Sequence, residues 1–226
     1  MLNRLIAAAF GAALLLPAAA SAATLTPLKP CYVTSTDEVS KQVTREPVEF
    51  GGGGFTPGGL VDLALDGKLQ RTVQADPAGN LPAQTLPAPY RHKGQGAFKL
   101  TATDRANPFN TVDGLSNVTA FDVSIHPSTA APSDRVRFRG RGFTQPGTVY
   151  AHYLNRGRVR KTVKLARRPG APCGTFSVKR RQIPIKNPRR GQWLLQIDQE
   201  RKYRRAPERG AIRVIIRVQL VFRKPR

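Results

Sequence analysis

The stretch Phe50-Gly51-Gly52-Gly53-Gly54-Phe55-Thr56-Pro57-Gly58 returns about 88 residues later as Phe138-Arg139-Gly140-Arg141-Gly142-Phe143-Thr144-Gln145-Pro146-Gly147. A period of that length is too long for a solenoid or a propeller blade and fits a whole domain of short strands. Glycine accepts positive φ and close backbone approach, so each copy lets the chain leave one strand and cross to an opposite sheet. The phenylalanine that follows can turn inward and plug the end of a core. The proline pre-sets a turn and the last glycine completes it.

The flanks of the two copies agree with this. Residues 60–65 and 69–74 bracket Asp66-Gly67, a strong hairpin signal, and residues 149–154 and 159–165 bracket Asn155-Arg156-Gly157. Counted from the Phe-Thr pair, Leu65 aligns with Leu154, Gly67 with Gly157, and Thr72-Val73 with Thr162-Val163. The strand-like segments 97–103 and 192–198 place Trp193 where Phe98 stands. Residues 36–46 read as polar loop, 118–125 as the strand that closes the first module, 126–132 as a linker and 166–174 as a loop. Residues 211–222 form the longest strand candidate: Ile212, Val214, Ile216, Val218, Leu220 and Phe222 share one face, and Arg213, Arg217 and Arg223 share the other. With 20 Gly and 19 Pro, the composition suits turn-rich β structure better than helices. The expectation is an all-β chain of two tandem immunoglobulin-like sandwiches, residues 23–122 and 123–226, each near the usual domain size.

The Phe-x-Gly-x-Gly-Phe-Thr…Pro-Gly pattern, followed by a strand, Asp-Gly and an Asp-x-x-Gly turn, resembles secreted bacterial immunoglobulin-like repeats. The second module, with Val149-Tyr150-Ala151-His152-Tyr153, Gly170 to Gly174 around Cys173, and Gly191-Gln192-Trp193, is similar to uncharacterised modules of this kind in secreted actinobacterial proteins. The resemblance implies fold and export. It carries no shared catalytic residues and so implies no activity.

Residues 1–22 have the make-up of a cleaved signal peptide: Arg4, an apolar run from Leu5 to Leu16, and Ala20-Ser21-Ala22. That run is too short to span a membrane comfortably, and no transmembrane anchor is expected elsewhere. The expected location is secreted, extracellular or associated with the cell wall. In such a compartment Cys31 and Cys173 could pair. If the modules lay end to end, with the start of the first distal to the second, a bond would require them to fold back side by side. Otherwise both thiols would be free or buried.

Charge divides the chain. Residues 23–123 hold 9 Lys and Arg against 10 Asp and Glu, while residues 124–226 hold 27 against 4. Such asymmetry points to a polyanionic partner for the second module. An arginine-rich coding bias in a chain kept soluble by charge would leave the same mark. The candidate contacts are Arg135, Arg137, Arg139 and Arg141, which alternate along one strand, and Arg156, Arg158, Arg160 and Lys161 after a turn. Lys179-Arg180-Arg181 and Arg189-Arg190 add loop charge, and arginines flank Tyr203. Arg suits bidentate contact with phosphate, sulfate or carboxylate, so a wall polymer or an acidic polysaccharide is the expected partner. Another surface protein is the alternative, with the chain as a structural or adhesive spacer and its charge incidental. Stacking aromatics are too few for specific nucleic-acid recognition.

No enzymatic activity and no cofactor are expected. The four-glycine run lacks the Lys-Ser/Thr and helix start of a phosphate loop. His92, His126 and His152 show no metal spacing. No Gly-x-Ser-x-Gly elbow supports a triad. Asp104 with Asn107, and Asp76 with Asn80, could lend oxygens to calcium, but they read first as turn residues.

Overall fold

The computed structural model describes residues 22–37, 40–208 and 210–219. The proposed signal peptide lies outside the described residues except for Ala22, as do Leu220, Phe222 and Arg223. The described chain is all-β. Its strands are β1 (Thr24–Leu25), β2 (Cys31–Thr36), β3 (Val43–Arg45), β4 (Pro47–Gly53), β5 (Leu60–Leu65), β6 (Lys68–Gln74), β7 (Leu81–Pro87), β8 (Gln95–Asp104), β9 (Thr111–Ala120), β10 (Asp122–His126), β11 (Arg135–Arg141), β12 (Val149–Asn155), β13 (Arg158–Ala166), β14 (Phe176–Arg181), β15 (Gly191–Asp198) and β16 (Ile212–Val218).

These strands form four sheets. The first half has a three-stranded sheet, β1-β4-β7, and a six-stranded one, β3-β2-β9-β8-β5-β6; the second half has β10-β11-β14 and β13-β12-β15-β16. Apart from β2 and β3, the second half repeats the strand order of the first. One buried cluster holds Val48, Phe50, Leu81 and Leu86 from the small sheet against Val61, Leu63, Phe98 and Leu100 from the large one. A second holds Val136 and Phe138 against Ala151, Tyr153, Trp193, Leu195 and Ile197. Alternation produces both: every second residue of β5, β8 and β11 points inward.

The recurring stretch does the same structural work twice. Gly54 and Gly142 adopt φ of 82° and 85°, and each is followed by a buried Phe. The Phe55 amide donates to the Gly79 carbonyl at 3.0 Å, and the Phe143 amide to the Gly174 carbonyl at 3.2 Å. A Cβ on Gly79 or Gly174 would stand 2.3 or 2.2 Å from the carbonyl oxygen of that Phe, so backbone packs on backbone at both places. Both expected hairpins form, with Asp66-Gly67 and Arg156-Gly157 at positive φ.

Four local expectations need correction. Val43–Arg45 is a strand inside the stretch read as loop, held against β2. The closing strand read over residues 118–125 is two strands, because the chain leaves one sheet at Ala120 and enters another at Asp122. The junction is therefore at Phe121, and residues 126–132 connect the end of β10 to β11, neighbours in one sheet. Finally, Leu65 shares its place in the core with Tyr153, not Leu154: Val61, Leu63 and Leu65 line the first cluster as Val149, Ala151 and Tyr153 line the second.

Cys31 and Cys173 are bonded, with Cα atoms 5.3 Å apart across a sequence separation of 142. The modules need not fold back for this. β2 pairs in parallel with β9, the strand that leads into the second half, with Thr34 opposite Ala120. The Phe121 amide donates to the Thr34 carbonyl at 2.8 Å. The first strand of the core thus runs to the junction, not away from it. From the other side, the Gly142 amide donates to the Cys173 carbonyl at 2.9 Å. The disulfide ties β2 to the loop that buttresses the second copy of the recurring stretch.

Candidate polyanion-binding surface

β11 is the middle strand of β10-β11-β14, and its core side carries Val136, Phe138 and Gly140. Arg135, Arg137, Arg139 and Arg141 therefore project together from the outer face, at intervals of about 6.8 Å over roughly 20 Å. Across the ladder Arg135 faces Arg181 and Arg137 faces Lys179. On the other side His126 faces Arg137 and Ser124 faces Arg139. Like charges opposite each other in a sheet destabilise it. Among the described residues no carboxylate forms an ion pair with any of these cations. Arg137 Nη1 donates to Ser177 Oγ at 3.2 Å, which holds its guanidinium over the face. Lys179, Arg180 and Arg181, read from the sequence as loop charge, belong to β14: its core side takes Phe176 and Val178, and alternation turns Lys179 and Arg181 outward beside β11.

Arg156, Arg158, Arg160 and Lys161 do not share this face. They sit on the β12–β13 hairpin, at the edge of the other sheet. Arg156 opens the turn, and Arg160 is the extra residue of a bulge between Lys161, opposite Tyr153, and Val159, opposite Leu154. A groove between β13 and β14 is lined by Ser133, Arg135, Val163, Arg180, Arg181 and Pro184, with none of the four hairpin cations among them. Three guanidiniums around one groove can hold a phosphate, sulfate or carboxylate.

The sequence reading missed a polar cluster on the outer face of the four-stranded sheet. His152 is fully buried there. Its Nε2–H donates to Asp198 Oδ1 at 3.2 Å and to the Glu200 carbonyl at 3.0 Å, and its Nδ1 shares a hydrogen bond with Thr162 Oγ1 at 3.0 Å. Gln196 Nε2 donates to Asp198 Oδ2 and to the Arg204 carbonyl, both at 2.8 Å. The loop between β15 and β16 covers this set, with Tyr203 edge-on to the imidazole at 5.9 Å. A signal existed in Val149-Tyr150-Ala151-His152-Tyr153-Leu154, which is apolar at both parities and so marks a strand covered on both sides. Inside the sandwich the Tyr153 hydroxyl has no partner among the described residues, and burial pushes its pKa up.

The carboxylates weighed for calcium are engaged by the protein. Asp76 accepts from the Ala78 and Asn80 amides and from Asn80 Nδ2. Asp104 accepts from the Thr56 amide and hydroxyl and from the Ala106 amide. Among the described residues no group of three or more His, Cys, Asp or Glu is set to hold a metal ion.

No family model matches this chain, and no curated protein does. Among solved structures it is similar to the β-glucuronidase of Parabacteroides merdae at 10% identity and a TM-score of 0.29, over 87% of this chain and 24% of that one. It is also similar to dimeric latent PorU of Porphyromonas gingivalis at 14% identity and a TM-score of 0.29, over 89% and 21%. The chain thus spans about a quarter of the length of these structures. Likenesses of this size carry no functional argument.

Proposed function

We propose that this is an exported, non-enzymatic binding protein of the cell envelope or extracellular space, built of two tandem immunoglobulin-like sandwiches, whose second sandwich engages polyanions through the β11 face. The partner is a wall polymer or an acidic polysaccharide. One observation carries the proposal: four outward arginines on a central strand, flanked by Lys179 and Arg181, with no ion-pairing carboxylate among the described residues. A face that exists only to keep a strand edge from aggregating has no reason to lie on a central strand. The buried disulfide supports export, since such bonds persist in oxidising compartments. The repeated strand order supports the tandem origin.

The test is retention of residues 23–226 on purified cell wall and on immobilised heparin across a salt series. Wild-type protein is retained at low salt. Replacing Arg135, Arg137 and Arg139 together by Ser lowers the slope of log K against log salt by roughly one per lost contact. No retention at ~50 mM salt, or an unchanged slope in the variant, overturns the proposal.

A further inference from the structure

We propose that the second half bridges two polyanion chains, one on each side of its sandwich; this rests on the polyanion-binding function proposed for the β11 face. The two sheets of this half share one buried cluster, so their outer faces point in opposite directions. The first outer face is the flat arginine ladder of β11. The second is the outer face of β13-β12-β15-β16, and it too is basic. The β15–β16 loop covers its middle, over His152 and Gln196. An open groove remains at the hairpin end, lined by Arg156, Arg190, Arg205, Tyr203 and Ile215 among others. Among the described residues these three arginines have no carboxylate partner, because Glu200 and Glu208 are held by Arg204.

The two surfaces differ in chemistry. The ladder offers charge alone. The groove adds apolar surface from Ile215, which is 61% exposed, and the edge of Tyr203. A polymer that carries both anionic groups and apolar ring faces meets this groove, which favours acidic polysaccharide over a simple polyphosphate. Packed sheets are separated by about 10 Å, and side chains extend beyond that on both sides. A straight chain lying on one face therefore cannot reach the other. A second chain can.

The test uses heparin fixed to a sensor surface and loaded with wild-type protein, after which soluble heparin is passed over it. The expected result is a second mass increment, together with agglutination of heparin-coated particles. Two variants separate the faces: Arg135→Ser, Arg137→Ser, Arg139→Ser and Arg141→Ser combined, and Arg156→Ser, Arg190→Ser and Arg205→Ser combined. All seven side chains are on the surface, and near-UV circular dichroism checks that both variants fold. Each variant still binds the fixed heparin, at lower salt than wild type, and neither gives the second increment. A second increment that persists in either variant shows bridging by self-association through one surface, and overturns the inference. So does wild-type binding with no second increment, which leaves the β11 proposal standing. Absence of any wild-type binding removes both.

Discussion

The two halves share a strand order and handle charge in opposite ways. In the first, three of the described cations pair with carboxylates: Arg105 with Asp62 at 2.9 Å, Lys99 with Asp113 at 3.1 Å, and Lys29 with Glu46. Its buried carboxylate, Asp104, fastens Thr56 of the recurring stretch through the amide and the hydroxyl, both at 2.7 Å. In the second half the recurring stretch is buttressed by the disulfide-bearing loop, and its glycine positions carry Arg139 and Arg141. The acids of the β15–β16 loop tie down that loop, and although Asp122 stands opposite Arg141, no carboxylate among the described residues forms an ion pair with the arginine ladder. One framework therefore tolerates a neutral and a highly charged surface, because inward residues alone define the core. The function proposed for the second half rests on this difference in surface.

The largest expected effect tests whether the halves are separate units. Phe50→Ala and Phe138→Ala each empty the same place in one of the two clusters, and each should cost about 3–5 kcal/mol. In urea unfolding followed by fluorescence and circular dichroism, each variant should shift a different transition. One shared transition that moves equally in both variants breaks the two-unit picture. Next is the link between halves. Replacing Cys31 and Cys173 together by Ser should lower stability by about 2–4 kcal/mol, read from denaturant midpoints without reductant.

A smaller effect separates the halves by pH. Burial alone would raise the Asp104 pKa, but the hydrogen bonds from Thr56 and Ala106 outweigh it and hold the carboxyl below the usual range. Arg105, aided by Thr72, holds Asp62 low as well. A carboxylate with a depressed folded pKa stabilises the protein above its unfolded pKa of about 4, and that stability is lost as pH falls through the folded value. Acid should therefore loosen the first half first, below about pH 4. Asp104→Asn should cost about 1–3 kcal/mol at neutral pH and flatten this acid limb, as measured by thermal melts between acid and neutral pH. The smallest effect has the opposite sign. Arg137→Ser relieves repulsion against Lys179 and should leave stability unchanged or raise it by roughly 0.2–1 kcal/mol, while weakening heparin retention. A variant that loses stability and binds as before would make the ladder structural.

Much of the fold was legible because its determinants are local. Alternation in residues 60–65 and 135–139, Asp66-Gly67, and the Gly-Phe-Thr pair each act over a few residues. The short β1 and β3 and the strand β7 were less visible. Leu81-Pro82-Ala83-Gln84-Thr85 does not alternate cleanly, and it becomes a strand by pairing with β4. The candidate arginines were found by type and spacing, but not sorted by face. Arg135 and Arg156 look alike in sequence, and they separate only because β11 and β12 enter different sheets.

What the sequence determined by itself is a β chain in which one glycine-phenylalanine stretch recurs, with a neutral first half and a basic second half. Patterns of period two and turn residues state this residue by residue. The tertiary structure decided that Cys31 meets Cys173, that His152 is enclosed by a loop, and that the arginines occupy two opposed surfaces instead of one. Each of these depends on which strands pair, above all on the parallel pairing of β2 with β9. Pairing over such distances is selected by the closure of whole cores, and no short stretch of the chain carries it.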